Sequence, residues 1–273
     1  MKDVGFAMVR RDLLASLLCT RFSPPAAAEV AVSSWQLNNG EVSIAAPFDC
    51  GAVHLSGEPR LLGSGSSGSV FAMDATGAGV PGRVALKVSW ATPGAAAAVR
   101  NEMRILEQLN GIDGVDILHA SCAYSTRGPD ANRVMLVLSP LVESAVERVS
   151  ELDGAMQQRA VDGLASVLVN MLAARVASAD VQLLIAPSTG RILLVDLTEA
   201  RLLASPEPSF ADLALANSFI GEVLASVPDG LYDRFEKQVA AAVKALSMPR
   251  DGSTPRQLDR ALLQALRDRL DLR

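Results

Sequence analysis

Basic charge, histidine, cysteine and aromatic side chains are all scarce in this chain. Its 25 Lys and Arg residues are outnumbered by 30 Asp and Glu residues, giving a net charge of −5. The basic surface expected of a DNA- or RNA-binding protein is therefore missing. Only two histidines are present, His54 and His119, so a histidine-based metal site is not expected. Aromatic residues make up 4% and hydrophobic residues 49%, which predicts a globular, helix-rich protein built from Ala, Val and Leu.

The cysteines and the apolar runs exclude two further classes. Cys19, Cys50 and Cys122 are widely spaced and contain no Cys-x-x-Cys pair, so their spacing predicts neither a disulfide framework nor a zinc site. No apolar run reaches the ~18 residues needed to span a bilayer, so no transmembrane segment is expected. The apolar spacing within Met1–Phe22 favours an amphipathic docking helix over a targeting signal. The compartment stays open, and secretion is one option.

The pattern along the chain divides it into three parts. Residues 1–57 are predicted to form an N-terminal extension with a helix, a linker and short strands within 41–47. Residues 58–140 form a strand-rich part with one helix, and residues 141–273 are mostly helical with one short hairpin. The predicted strands are Arg60–Leu62, Ser69–Asp74, Arg83–Trp90, Val115–Tyr124, Arg133–Leu138, Leu183–Ala186 and Arg191–Val195. The predicted helices are Ala95–Leu109, Met156–Arg175, Phe210–Val227, Leu231–Ser247 and Pro255–Leu270.

A glycine-rich turn is the clearest candidate binding element. Residues 63–70 read Gly-Ser-Gly-Ser-Ser-Gly-Ser-Val, a G-x-G-x-x-G-x-V pattern between two predicted strands. Glycine lacks a Cβ, so backbone N–H groups can come close to phosphate oxygens. A Gly/Ser run alone is often a linker or a hairpin turn, but the flanking strands favour phosphate binding. The candidate nucleotide-binding residues here are Gly63, Ser64, Gly65, Gly68 and Val70.

Three charged residues further along the chain are candidates to act together with this turn. Lys87 lies in the strand sequence Val-Ala-Leu-Lys-Val, and Glu102 follows fifteen residues later in the predicted helix. A strand lysine held by a helix glutamate is a requirement of the active kinase arrangement. Asp196 follows the apolar strand Arg191–Val195, where an aspartate is costly without a charge partner or ligand.

These motifs resemble the protein-kinase superfamily from about Glu58 to the C-terminus. The resemblance implies an α+β, two-lobed fold: a five-stranded N-lobe sheet with one helix, and a compact, mostly helical C-lobe. It implies ATP with Mg²⁺ as ligand, Ala85 in the adenine pocket, Val70 as its roof and a hinge near residues 138–141. Asp196 and Gln182 would take the metal-binding positions. The motif at Asp196 reads Asp-Leu-Thr in place of Asp-Phe-Gly.

The catalytic loop departs from the kinase pattern. A gap-free alignment puts Gln182 at the metal-binding asparagine and Ala177 at the catalytic aspartate, where alanine cannot accept a proton. A shortened loop would instead place Asp180 at the base position and lose the asparagine match. Only about fourteen residues separate Asp196 from the predicted helix at Phe210, so the usual activation segment is missing.

Three functions therefore stay open. The first is a pseudokinase that binds ATP and works as a scaffold or allosteric partner, with a protein partner docking on the N-terminal extension. The second is a compact ATP-dependent phosphotransferase that uses Asp180 as its base. The third is an interaction module that binds no nucleotide. The degraded loop beneath an intact N-lobe resembles secreted effector or rhoptry-type kinase-like proteins, an association that does not settle function.

Overall fold

The computed structural model describes residues 32–37, 40–45, 47–77, 79–125, 132–142, 144–246 and 258–270. The predicted helix at Met1–Phe22 lies outside these residues. The strands are β1 Val32–Leu37, β2 Gly40–Ala45, β3 Phe48–Cys50, β4 Val53–Ser64, β5 Gly68–Thr76, β6 Arg83–Ser89, β7 Ile117–Ser125, β8 Asn132–Ser139, β9 Val176–Ala177, β10 Gln182–Ala186, β11 Arg191–Val195 and β12 Arg201–Leu202. The helices are α1 Pro93–Gln108, α2 Gly154–Ala173, α3 Phe210–Ala225, α4 Tyr232–Leu246 and α5 Arg260–Arg269.

The largest sheet is antiparallel and has six strands in the order β3-β4-β5-β6-β8-β7. The α+β prediction is confirmed, whereas the sheet contains one strand more than the five predicted. The additional strand, β3, is only three residues long and pairs with the start of β4. Because β4 begins at Val53, the predicted boundary at residue 58 falls inside this strand.

Alternation along β6 decides which way its side chains face. Val84, Leu86 and Val88 enter a core that is enclosed by the sheet itself and contains Phe71, Met73 and Val137. Ala85 and Lys87 therefore lie on the opposite face, since successive side chains of a strand alternate. That face packs against α1 and belongs to the larger core, which continues into the C-terminal helices.

The sheet is nearly closed, and a disulfide joins its two edges. Cys50 at the end of β3 is bonded to Cys122 in β7, with the two Cα atoms 5.3 Å apart. The prediction that the cysteines form no disulfide is thus wrong. Sequence spacing could not reveal this pair, because 72 positions separate its members and only the curvature of the sheet brings them together.

The residues at the start of helix α1 explain where it begins. Thr92 is its N-cap, with the hydroxyl oxygen accepting from the Ala95 N–H at 3.2 Å, and Pro93 occupies the first helical turn. Its buried positions follow the spacing of one helix face, and Glu102 is one of them. The helix thereby carries a carboxylate into the protein interior.

The C-terminal half is built around α2. Asp153 caps this helix, nine of its twenty residues are buried, and α4 packs along it. The bidentate bond from the Arg234 guanidinium to the Asp162 carboxylate, at 2.6 and 2.7 Å, fixes α4 to α2. In the described part of the chain, no single helix is both long and apolar enough to cross a bilayer; α3 and α4 meet that test only as a pair bent by 104°.

Candidate functional site

The glycine-rich loop, residues 63–68, comprises the end of β4, the turn at 65–67 and the start of β5, and it is held by its own backbone and by Trp90. The Gly65 N–H donates to the Gly68 carbonyl at 2.9 Å, and the Ser64 and Ser69 hydroxyls lie 2.8 Å apart. The Trp90 indole N–H donates to the Gly65 carbonyl at 2.9 Å. The backbone N–H of Trp90 donates to the Ser67 carbonyl at 3.0 Å. The loop is therefore fixed to the end of β6, the strand that carries Lys87.

The glycines of this loop differ in what surrounds them. A Cβ added to Gly68 would overlap the backbone carbonyl oxygen of Val88. A Cβ on Gly63 or Gly65 would meet nothing within 4 Å. Gly68 is thus required by the protein's own packing, whereas Gly63 and Gly65 border open space that a ligand can approach.

Lys87, Glu102 and Asp196 form a buried ion cluster, here called the lysine cluster. The Lys87 Nζ lies 2.7 Å from Glu102 Oε2 and donates a hydrogen bond to Asp196 Oδ1 at 2.6 Å. The Lys87 and Glu102 side chains are 6% and 1% exposed, while Asp196 is 23% exposed. Strand β6, helix α1 and the end of β11 each contribute one member, so the structure brings all three predicted residues together.

Burial and mutual attraction set the protonation of this cluster. Burial lowers the pKa of Lys87, but its attraction to Glu102 and Asp196 outweighs burial and leaves that pKa above its ordinary value. Burial raises the pKa of Glu102 despite the opposing effect of Lys87. Burial also acts to raise the pKa of Asp196, yet Lys87 and Thr198 hold it below the ordinary value. Asp196 therefore stays a carboxylate, the form that a divalent cation binds.

Helix α1 also holds the backbone that follows Asp196. Asp196 adopts a left-handed conformation with φ 54° and ψ 60°, and a short 3₁₀ turn follows it. The Leu197 N–H donates to Glu102 Oε1 at 3.1 Å. The Asn101 side-chain amide donates to the carbonyls of Thr198 at 3.0 Å and Ala200 at 2.8 Å. Sequence reasoning missed Asn101, because nothing in its position beside Glu102 distinguishes it from a solvated helix residue.

A separate stretch that precedes the β10–β11 hairpin, residues 178–182, contains the carboxylate of Asp180 and is here called the Asp180 segment. Gln182 pairs with Val195 in the β10–β11 hairpin, next to Asp196. The Gln182 amide donates to Asp180 Oδ2 at 3.3 Å, and both residues are exposed. The Ser178 hydroxyl donates to the Asp180 backbone carbonyl at 2.7 Å. Ala177, by contrast, is completely buried and pairs with Arg201, so it offers nothing to a ligand.

The two remaining predicted residues, Val70 and Ala85, lie in β5 and β6 of the six-stranded sheet. Val70 pairs with Lys87, and Ala85 pairs with Leu138 at the end of β8.

Sequence reasoning also missed Asp116. Burial raises the pKa of the Asp116 carboxyl well above its usual range, and the charge of Glu102 adds to this shift. Among the residues described, no group of three or more His, Cys, Asp or Glu side chains could by itself hold a metal ion.

The chain matches no protein-family model, and no curated protein matches its sequence.

Proposed function

We propose that this chain is a protein-kinase-like domain that binds ATP with Mg²⁺ and acts as a pseudokinase, a scaffold or allosteric partner of another protein. The observation that carries the proposal is the lysine cluster. One strand lysine is held between a helix glutamate and an aspartate that follows a buried strand, the arrangement that kinases require around the nucleotide phosphates. The two-lobed fold and the N-lobe that the kinase resemblance implies belong to this proposal.

The residues present suit a nucleotide with its metal ion. Lys87 would hold phosphate oxygens, and the open space beside Gly63 and Gly65 would admit them to the loop backbone. Asp196, ionised and partly exposed, would bind Mg²⁺, with Gln182 beside its strand. Bound Mg²⁺ would supply charge neutralisation between phosphate oxygens and the carboxylate, and it usually needs only one or two protein carboxylates. Without a ligand, the lysine cluster has one cation for two carboxylates, an imbalance that a divalent cation offsets.

The absence of phosphate transfer in this proposal rests on Ala177. In the gap-free alignment Ala177 holds the position of the catalytic aspartate, and its buried methyl group can neither accept a proton nor orient a hydroxyl. The chain would then bind nucleotide without using it. A protein partner would then bind the nucleotide-bound and nucleotide-free forms of the domain with different affinities.

A thermal-shift titration with ATP, with and without Mg²⁺, tests nucleotide binding. Saturation at about 100 times the Kd is expected to raise the Tm by roughly 5–10 °C, because only the native state binds. Asp196→Asn should remove the Mg²⁺-dependent part of the shift, whereas Asp233→Asn on the exposed start of α4 should leave it intact. No shift with either Mg²⁺ or Mn²⁺ would rule out ATP binding and favour the interaction module.

A second candidate function, a compact phosphotransferase, is favoured by the Asp180 segment. Asp180 is an exposed carboxylate with a hydrogen bond from Gln182, so it is free to accept a proton from a substrate hydroxyl. Transfer of labelled γ-phosphate to protein or small-molecule acceptors distinguishes the two functions. Turnover that falls at least 100-fold in Asp180→Asn, with ATP binding unchanged, would establish the phosphotransferase and overturn the pseudokinase.

A further inference from the structure

The two edge strands of the six-stranded sheet meet at the Cys50–Cys122 disulfide. Strands β3 and β7 are not hydrogen-bonded neighbours in the sheet, yet their chains approach closely there. A Cβ placed on Gly51 would lie 3.6 Å from the Ala120 Cβ. The sulfur–sulfur bond therefore closes the sheet covalently at a seam where backbone pairing does not. The disulfide is thus the covalent link between the two edge strands at this end of the sheet.

Strand β3 has few other contacts to hold it. Its three residues pair with 53–55 of β4, Phe48 packs partly buried against the core inside the sheet, and the 2.7 Å contact between the Asp49 carboxylate and the His54 ring is exposed. Exposed contacts of this kind contribute little to stability. Cys50 itself is completely buried in the core inside the sheet, beside Val53 and Leu55. Loss of the disulfide would free β3 and open that core to water at one end.

We propose that the Cys50–Cys122 disulfide is a redox latch that closes one end of the sheet and is opened by a dithiol reductant. This inference goes beyond the proposed nucleotide binding and does not depend on it. A thiolate of the dithiol attacks the Cys122 Sγ, since Cys122 is partly exposed and Cys50 is not. The S–S bond breaks, and Cys50 leaves as a thiolate that takes up a proton.

The second thiol of the reductant completes the exchange. As a thiolate it attacks the reductant sulfur in the mixed disulfide, forming the reductant's internal disulfide. Cys122 then leaves as a thiolate and takes up the second proton. Two electrons pass from the dithiol to the protein disulfide, so the dithiol is oxidised and the protein is reduced.

The effect of opening is confined to one end of β4. The pairing of β4 with β5 is interrupted between Ser56 and Arg60, where Gly57 has φ +75°. This positive φ favours glycine, so the sequence itself supports the irregularity at this point. The glycine-rich loop lies at the other end of β4, beyond this break. Reduction is therefore expected to loosen residues 48–56 and leave residues 63–70 unchanged.

Hydrogen exchange on the full chain in two redox states tests the latch. A Cys19→Ser background removes the third thiol, so disulfide exchange with it cannot confuse the result. After treatment with oxidised glutathione, a peptide linking Cys50 to Cys122 is expected, two hydrogens lighter than the free peptides. Reduction with dithiothreitol should speed exchange at residues 48–56 at least tenfold and lower the Tm by roughly 5–10 °C. Residues 63–70 should keep their rates.

A matched variant and a trapping experiment complete the test. In Cys50→Ala/Cys122→Ala, dithiothreitol should change neither the Tm nor the exchange rates. A monothiol should be trapped as a mixed disulfide on Cys122 and not on Cys50. Free thiols at both positions after oxidation, or equal exchange at residues 48–56 in both states, would overturn the latch. Equal loss of protection at residues 63–70 would overturn its confinement to one end.

Discussion

The lysine cluster and the Asp180 segment are two parts of the candidate site, and they differ in how strongly the surrounding protein fixes their charged side chains. Lys87, Glu102 and Asp196 come from three separate parts of the fold. The Lys87 and Glu102 side chains are almost completely buried. Asp180 is exposed and receives one side-chain hydrogen bond, from a neighbour two positions away. A buried charge needs fixed partners, whereas an exposed carboxylate is satisfied by water. The first region therefore depends on the fold, and the second can change without disturbing it.

The largest effect that can test this comparison is the loss of the lysine. Lys87→Ala leaves two carboxylates without their cation and is expected to lower the free energy of unfolding by about 3–5 kcal/mol. Denaturant unfolding measures the change. Lys237→Ala, at an exposed position of α4, is the matched control and should shift the free energy of unfolding by no more than about 0.5 kcal/mol. A small loss at Lys87 would show that the cluster is not a structural unit.

The next effect separates the two kinds of glycine in the glycine-rich loop. Gly68→Ala forces a methyl group onto the Val88 carbonyl and is expected to cost about 1–3 kcal/mol of unfolding free energy. Gly63→Ala enters open space and should leave unfolding nearly unchanged. If nucleotide occupies that space, Gly63→Ala should weaken ATP binding in the thermal-shift assay. Equal unfolding free energies for the two variants would contradict the packing difference.

A smaller effect concerns the backbone after Asp196. Asn101→Ala removes two hydrogen bonds from α1 to the carbonyls of Thr198 and Ala200 and is expected to cost about 1–2 kcal/mol. Asn217→Ala is its control, because that amide donates to the Leu213 carbonyl within its own helix. Denaturant unfolding compares the two. A larger loss in Asn217→Ala would show that Asn101 does not hold this segment.

The smallest effect belongs to the Asp180 segment. Asp180→Ala should change the free energy of unfolding by no more than about 0.5 kcal/mol, because the side chain is exposed. The same denaturant series as for Lys87→Ala gives a direct comparison of the two regions. A loss above about 2 kcal/mol would mean that Asp180 supports the fold as strongly as the cluster does.

Sequence reasoning worked where chemistry and local pattern coincide. Lys87 and Glu102 could be paired in advance because their order and spacing match the strand lysine and helix glutamate that kinases require. Asp196 was found because an aspartate that follows a buried apolar strand is costly without a charge partner or ligand. The contacts that were missed depend on tertiary structure. Asn101 reaches backbone carbonyls nearly a hundred positions away, and β3 is too short to carry an alternating pattern.

The hydrogen bond from Trp90 to the glycine-rich loop gives the molecule an optical reporter of its own. The chain contains two tryptophans, Trp35 and Trp90, and the Trp90 indole donates directly to the Gly65 carbonyl. Indole emission depends on whether that N–H is bonded to protein or to water. In a Trp35→Phe variant, the emission would come from Trp90 alone and would follow the glycine-rich loop in solution without an added label.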